Sequence, residues 1–215
     1  PEEDGIVWPL RKGLDVTDRL SMDLLQKNTP EFKDQKGETP RENGDYGQVE
    51  ISREDYQLTL SGHGAEDLDL DMDEILKLPK MRMTTELHCI EGWSKTVEWG
   101  GTSLAAFLAK YPPLDSEGKP ILQTDSAYPR YLQMETDDGA YYVGLDMGSA
   151  LHPQTMLCYE MNGKPLPNEH GGPLRLVIPV KYGVKNIKWL GSITYSQRKT
   201  KDFWAEQGYD WFAGL

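Results

Sequence analysis

The chain has 215 residues, with 23 Lys plus Arg against 35 Asp plus Glu and a formal net charge of -12. At 38% hydrophobic it holds enough apolar material for one large domain that buries roughly 70% of its unfolded surface, which argues against disorder along the whole length. No apolar run approaches the roughly 20 residues that span a bilayer, and the acidic balance disfavours broad binding to nucleic acid or anionic lipid.

The charge is unevenly spread. Residues 1–74 hold 20 acids and 8 bases, the remainder holds 15 of each, and residues 170–201 hold seven bases and no acid. Because the sequence opens on Pro1 rather than Met, the absence of a basic-then-apolar export signal says little about compartment. Two cysteines, Cys89 and Cys158, are too few for a disulfide-framed scaffold but allow one bridge, two thiols or one ligand.

In chain order, residues 1–55 read as an acidic N-terminal arm, extended or partly ordered, with a short helix over Leu20 to Leu25 opening at Asp18. Tyr56 to Leu60 alternates as a half-buried strand. Asp71 caps a short helix carrying Met72, Ile75 and Leu76, with Glu74 in capping-box position and Pro79 as its stop. From Met81 to Cys89 the alternation has period two and leaves Cys89 at the strand end. A strand around Val97 and Gly100-Gly101 come next, followed by a helix over Thr102 to Leu108 capped by Thr102. Strands are expected over Tyr131 to Glu135, Tyr141 to Val143, Met156 to Tyr159, Leu174 to Ile178, Ile187 to Leu190 and Ile193 to Tyr195, with a helical turn over Met147 to Leu151. Strands dominate and no long β-helix-β alternation runs through the chain. The class is therefore α+β, with mixed, partly barrel-like β-sheets and short scattered helices.

Phosphate-binding G-x-x-x-x-G-K-[ST] and G-x-G-x-x-G loops are missing, as are G-x-S-x-G and H-E-x-x-H, which removes nucleotide chemistry and the simplest hydrolases. Two segments stand out. In His88 to Ser94 a cysteine leaves a strand into a loop walled by Trp93, Trp99 and glycines. In Pro165 to Trp189, glycines permit close backbone approach while Arg175 and lysines supply charge for a phosphate-bearing ligand. On position alone Cys89 reads as a buried, inert core cysteine, a reading that the two flanking motifs reverse, and the bases as a solvated edge, against which stand seven bases without one acid among them.

Cys-x-Glu-x-Trp-Ser over Cys89 to Ser94, N-G-K-P-L-P-x-x-H-G-x-P-x-R-L over Asn162 to Leu176, and K-Y-G-x-K-x-I-K over Lys181 to Lys188 together resemble the molybdopterin-binding domain of the sulfite oxidase superfamily. The resemblance covers about residues 56–200 and is nearest to the bacterial branch that contains the periplasmic protein-methionine-sulfoxide reductase catalytic subunit. It implies molybdenum with a single molybdopterin, and Cys89 as the catalytic metal ligand. It further implies His88, Thr136, His170, Arg175, Asn186, Ile187 and Lys188 as cofactor contacts, although strand alternation points His88 away from Cys89. Animal and plant sulfite oxidases carry an arginine-rich run after this cysteine, where Ile90 to Trp93 stands here. Members also hold the pterin with an Asn-containing N-terminal segment, and the sequence assigns no residue of 1–55 to that task.

The resemblance thus implies an oxidoreductase that moves an oxygen atom to or from a sulfur or nitrogen substrate, small or protein-borne. Electrons would be exchanged with a cytochrome or a membrane haem subunit, in a periplasmic setting. The alternatives are a non-catalytic scaffold that keeps the fold and a zinc site from His88, Cys89, Cys158 and His170. Residues 56–201 form the expected molybdopterin-binding domain, and residues 202–215 an aromatic tail packed on it. With so short a tail, the immunoglobulin-like dimerisation domain of sulfite oxidases is not expected, which favours a monomer or a heteromer with the electron partner. Cys158, His152, Trp93 and Trp99 read as structural, Tyr142 and Tyr182 as possible lining of the pocket mouth, and the acidic arm as a docking surface for a basic electron carrier.

Overall fold

Alternation of apolar side chains marks the strands of the described chain, which form two open sheets. The structure, a computed structural model, describes residues 27–215 other than 45, 49, 63 and 65; the helix expected over Leu20 to Leu25 lies outside the described residues. Among the described residues the first sheet has the order β2-β1-β10-β5-β6, built from β1 (Gln57–Ser61), β2 (Leu68–Asp71), β5 (Tyr131–Thr136), β6 (Tyr142–Asp146) and β10 (Leu190–Ser196). Its β1 and β10 run parallel and the other pairs antiparallel, so the sheet is mixed. The second sheet runs β3 (Lys80–His88), β4 (Ser94–Ser103), β7 (Met156–Met161) and β8 (Lys164–Pro165), with β9 (Arg175–Val177) also paired to β7. Neither sheet closes into a barrel, and the α+β class is as expected.

The sheets carry two cores. Leu58 and Leu60 of β1, Leu132 and Met134 of β5, Val143 and Leu145 of β6 and Ile193 of β10 fill the first. Met83, Val97, Trp99, Met156, Cys158 and Val177 fill the second. Helix α1 (Met72–Leu76) starts where expected, with the Asp71 carboxylate accepting from the Glu74 N–H at 2.8 Å. The reciprocal half of the capping box does not form, because the Glu74 carboxylate pairs with Lys77 instead.

Three differences from the expected elements have causes in how segments pack. Gly100-Gly101 does not end its strand: a Cβ on Gly101 would strike the backbone of Leu157 and Cys158, so glycine lets β4 pass tightly along β7 with a register shift. Thr102 is therefore a buried strand residue. Ser103 caps α2 (Leu104–Lys110), accepting from the Ala106 N–H at 3.0 Å, and Leu104, Phe107 and Leu108 at helical spacing enter the first core. Ile187 to Trp189 are not strand, because Trp189 takes a left-handed φ of 46° and its N–H turns to the Gly171 carbonyl. Short helices α3 (Met147–Ala150) and α4 (Phe203–Glu206) complete the described α-helices, and two 3-10 turns, Asn168–His170 and Gly183–Lys185, lie at the start of the basic segment and within it.

Residues 27–44 run along the second sheet. The Phe32 N–H donates to Thr84 on the edge strand β3, and the Glu38 N–H to Thr96. This covers the free edge of β3 at Thr84, which is buried although it stands on the polar side of the alternation. The path ends with Asn43 against Cys89.

Candidate cofactor site

Strand β3 ends at His88, and Cys89 opens a tight turn. Its N–H donates to the Trp93 carbonyl, and its carbonyl accepts from the Gly92 N–H, with Gly92 at φ 85° where a side chain is disfavoured. Cys89 is a free, half-buried thiol. The Asn43 amide nitrogen lies 3.5 Å from its Sγ and 3.3 Å from a Glu91 carboxylate oxygen, which also accepts from the Trp93 indole N–H at 2.9 Å. Arg41 stacks over the Trp93 ring. Thus the Cys89 thiol sits at one end of a small polar network, running through Asn43 and Glu91 to Trp93, that is delivered partly by the N-terminal arm.

The basic segment faces the same space. A 3-10 turn over Asn168–His170 ends at Gly171, which takes φ 97°; a Cβ there would collide with Lys188, so glycine brings these two loops together. Arg175 is buried, and its guanidinium donates to the carbonyls of His170 and Asn186, each at 2.8 Å, and to that of Leu176. It clamps the two loops and uses three of its five N–H donors in doing so. Burial lowers its pKa to about 10. The Asn186 side chain accepts from the Ile178 N–H and donates to the Tyr182 carbonyl. Lys188 donates to the Asn43 and Glu169 carbonyls, at 2.7 Å and 3.0 Å, tying the arm to the basic segment. His170 is buried beside these cations, and burial first, then the charges of Lys188 and Arg175, hold its imidazole below the ordinary histidine range.

These groups line one cleft of about 430 Å³, within the range of cofactor sites. Of the residues expected from the sequence, it brings together Cys89, His170, Arg175, Asn186, Ile187 and Lys188. Two expected contacts lie elsewhere. His88 points along β3, its Nε2 3.6 Å from a Glu86 carboxylate oxygen. Thr136 ends β5, where its hydroxyl donates to Asp138 and accepts from the Tyr141 N–H. Asn43, Glu91, Tyr46, Tyr141, Trp204 and Tyr209 also line the cleft, none of them singled out beforehand as a cofactor contact, while Tyr142 and Tyr182 are not among the lining residues. The turn-rich run Asn43-Gly44-Asp45-Tyr46-Gly47 is the one local signal that marks the arm's part in it.

Cys158 is fully buried in β7, its thiol donating to the Glu160 carbonyl and pushed up to about 12 by burial. Among the described residues the zinc set does not assemble; the ligating group that does form, Glu42 with Glu169 and His170, includes only one of its four members. A soft, half-exposed thiol on a cleft with an ammonium and amide donors fits a sulfur-ligated metal carried by an anionic cofactor.

The sequence pattern of the oxidoreductase molybdopterin binding domain matches residues 46–204. The chain belongs to this family. It is 32% identical over 175 residues to a putative protein-methionine-sulfoxide reductase subunit YedZ1 of Azospira oryzae, covering 80% of this chain and 62% of that protein. It is 33% identical to the protein-methionine-sulfoxide reductase catalytic subunit MsrP of Campylobacter jejuni, covering 77% of this chain and 58% of that one, and also 33% identical to MsrP of Xanthomonas campestris, covering 69% and 47%. The chain thus spans about half the length of the curated relatives it matches. In fold, this molybdopterin-binding domain is similar to sulfane dehydrogenase SoxCD from Paracoccus pantotrophus, with a TM-score of 0.60 at 22% identity over 71% of this chain and 41% of that one.

Proposed function

We propose that this molybdopterin-binding domain is the catalytic part of an oxidoreductase that reduces a sulfoxide by two-electron oxygen-atom transfer. The observation that carries the reading is the half-buried Cys89 thiol on a cleft that the looped basic segment also lines. When bound, molybdenum held by the pterin dithiolene supplies the two-electron redox chemistry.

The chain's own residues bind and orient. Cys89 offers the protein's soft ligand. The Asn43 N–H aimed at its sulfur fixes that ligand's direction and tunes its donor strength. Lys188, the Arg175-clamped loops and the backbone around Asn186 and Ile187 form the cradle for the anionic end of the cofactor. Glu91, held by Asn43 and Trp93, sets a carboxylate beside the thiol, which repels an oxyanion such as sulfite and tolerates a neutral sulfoxide. The names of the relatives, reductases of protein methionine sulfoxide, point the same way.

Electrons would come from a separate redox protein, a cytochrome or a membrane haem subunit, in a periplasmic setting. Two cysteines, one sealed in β7, give the chain no thiolate set for an iron–sulfur cluster. No helix among the described residues is long and apolar enough to cross a membrane. The direct test is metal and pterin analysis of wild type beside Cys89→Ala, both made with the cofactor machinery present. Wild type is expected to carry molybdenum and release a fluorescent pterin on denaturation, while C89A loses molybdenum; equal molybdenum in both would overturn the reading.

A further inference from the structure

Six large apolar side chains are exposed among the described residues, and three of them, Tyr46, Ile90 and Tyr209, line the cleft that holds Cys89. Solvent-facing apolar groups gathered at one opening mark a place where something docks. Tyr46 comes from the arm and Ile90 from the turn after Cys89. Tyr209 and its neighbour Trp204 come from the C-terminal segment.

That segment is anchored on either side of these two aromatics. Before them, Asp202 takes the Lys185 ammonium and caps α4. After them, the Trp211 indole N–H donates to the Thr200 carbonyl, the Leu215 N–H donates to the Val180 carbonyl, and Lys181 pairs with Gly214. Between the anchors, Trp204 and Tyr209 meet edge to face at 5.2 Å, with the Tyr209 N–H donating to the Trp204 carbonyl and Gly208 at φ 92° turning the chain. Tyr209 remains half exposed, so its place is not explained by core packing.

The cleft's charges bear on what the aromatics face. Arg175 and Lys188 are hydrogen-bonded to carbonyls, Arg41 lies over Trp93, and Glu91 adds a negative charge. These charged groups belong to the cofactor cradle, whereas Trp204 and Tyr209 add uncharged aromatic surface to the lining. A neutral sulfoxide side chain suits that surface: its methyl and methylene groups pack on the rings, and its oxygen can accept from a phenol O–H such as that of Tyr209.

We propose that Trp204 and Tyr209 are specificity-determining residues, forming an aromatic lip that seats a neutral, sulfoxide-bearing side chain carried on a polypeptide. The proposal rests on the sulfoxide-reductase reading above and adds to it the part of the chain that selects the substrate. Small sulfoxides reach the cofactor without the lip, whereas a polypeptide substrate must lie across it.

The test compares the cofactor-loaded full chain with Trp204→Ala, Tyr209→Ala, Trp204→Phe and, as a control outside the cleft, Tyr182→Ala. Two readouts are taken: dye-linked reduction of a peptide with one methionine sulfoxide and of dimethyl sulfoxide, and calorimetric binding of that peptide. For W204A and Y209A, kcat/KM for the peptide is expected to fall about tenfold more than for dimethyl sulfoxide, the loss lying in KM, with peptide Kd rising by about the same factor. W204F recovers most of the loss, and Y182A keeps the wild-type ratio. Equal losses on both substrates, or unchanged peptide Kd in W204A and Y209A, would overturn the proposal. If wild type reduces neither substrate, the functional reading fails, and the peptide titration still decides whether these aromatics bind it.

Discussion

At the scale of single residues, the two cysteines show how environment separates one chemistry from another. Cys89 leaves a strand at a turn and keeps part of its surface, while Cys158 is sealed in β7 with its thiol pushed up to about 12. Alkylation of the cofactor-free folded protein is therefore expected to modify Cys89 and spare Cys158, as read by peptide mass spectrometry; equal labelling would contradict the burial. Asn43 acts through Cys89 rather than on substrate, so Asn43→Ala is expected to lower sulfoxide reduction about 10- to 100-fold without unfolding the chain. A change below about twofold would show that the amide does not orient the thiol. Cys89 was legible because alternation and its neighbours are local. Asn43 was not, since it meets the sulfur across 46 residues of chain and its own surroundings read only as a turn.

At the scale of elements, glycines decide where strands run. Gly101 lies where β4 presses on the β7 backbone, and Gly101→Ala is expected to destabilise the fold by about 1–3 kcal/mol in urea denaturation. Gly118, at the tip of a loop with nothing near its Cβ position, takes a left-handed φ, and Gly118→Asn there is expected to stay within about 0.5 kcal/mol of wild type. A strand that continues through two glycines breaks the usual reading of glycine as punctuation. That is why the helix cap was expected at Thr102 and stands at Ser103. Most strands and the α1 cap were legible because their signals lie within a few residues of one another. The residues after Asn186 were not, because the left-handed turn at Trp189 is held by Gly171, which belongs to another loop.

At the scale of the whole molecule, the basic segment is divided by burial. Of its seven bases, Arg175 and Lys188 line the cleft, while Lys185 is buried against Asp202 and Lys181 near Asp146, with the Lys181 ammonium over the Phe212 ring. Burial, outweighing the attraction of Asp146, brings the Lys181 ammonium down to about 7. The unfolded chain keeps that proton up to the ordinary lysine range. Above about pH 7 the unfolded state thus binds more protons, and stability rises with pH by at most about 1.4 kcal/mol per unit for one group. Urea midpoints between about pH 7 and pH 8.5 are expected to climb for wild type and to climb less for Lys181→Met; parallel slopes would contradict this origin. Read without a structure, the chain already yields its class, most of its strands, its family and a cysteine at the end of a strand, because periodicity, capping and contiguous motifs act over short stretches. Which acids neutralise the basic segment, which arm residue reaches the thiol and which aromatics close the cleft depend on contacts between segments far apart in sequence. Those contacts are set by how the two sheets and the terminal segments pack, and no local pattern encodes them.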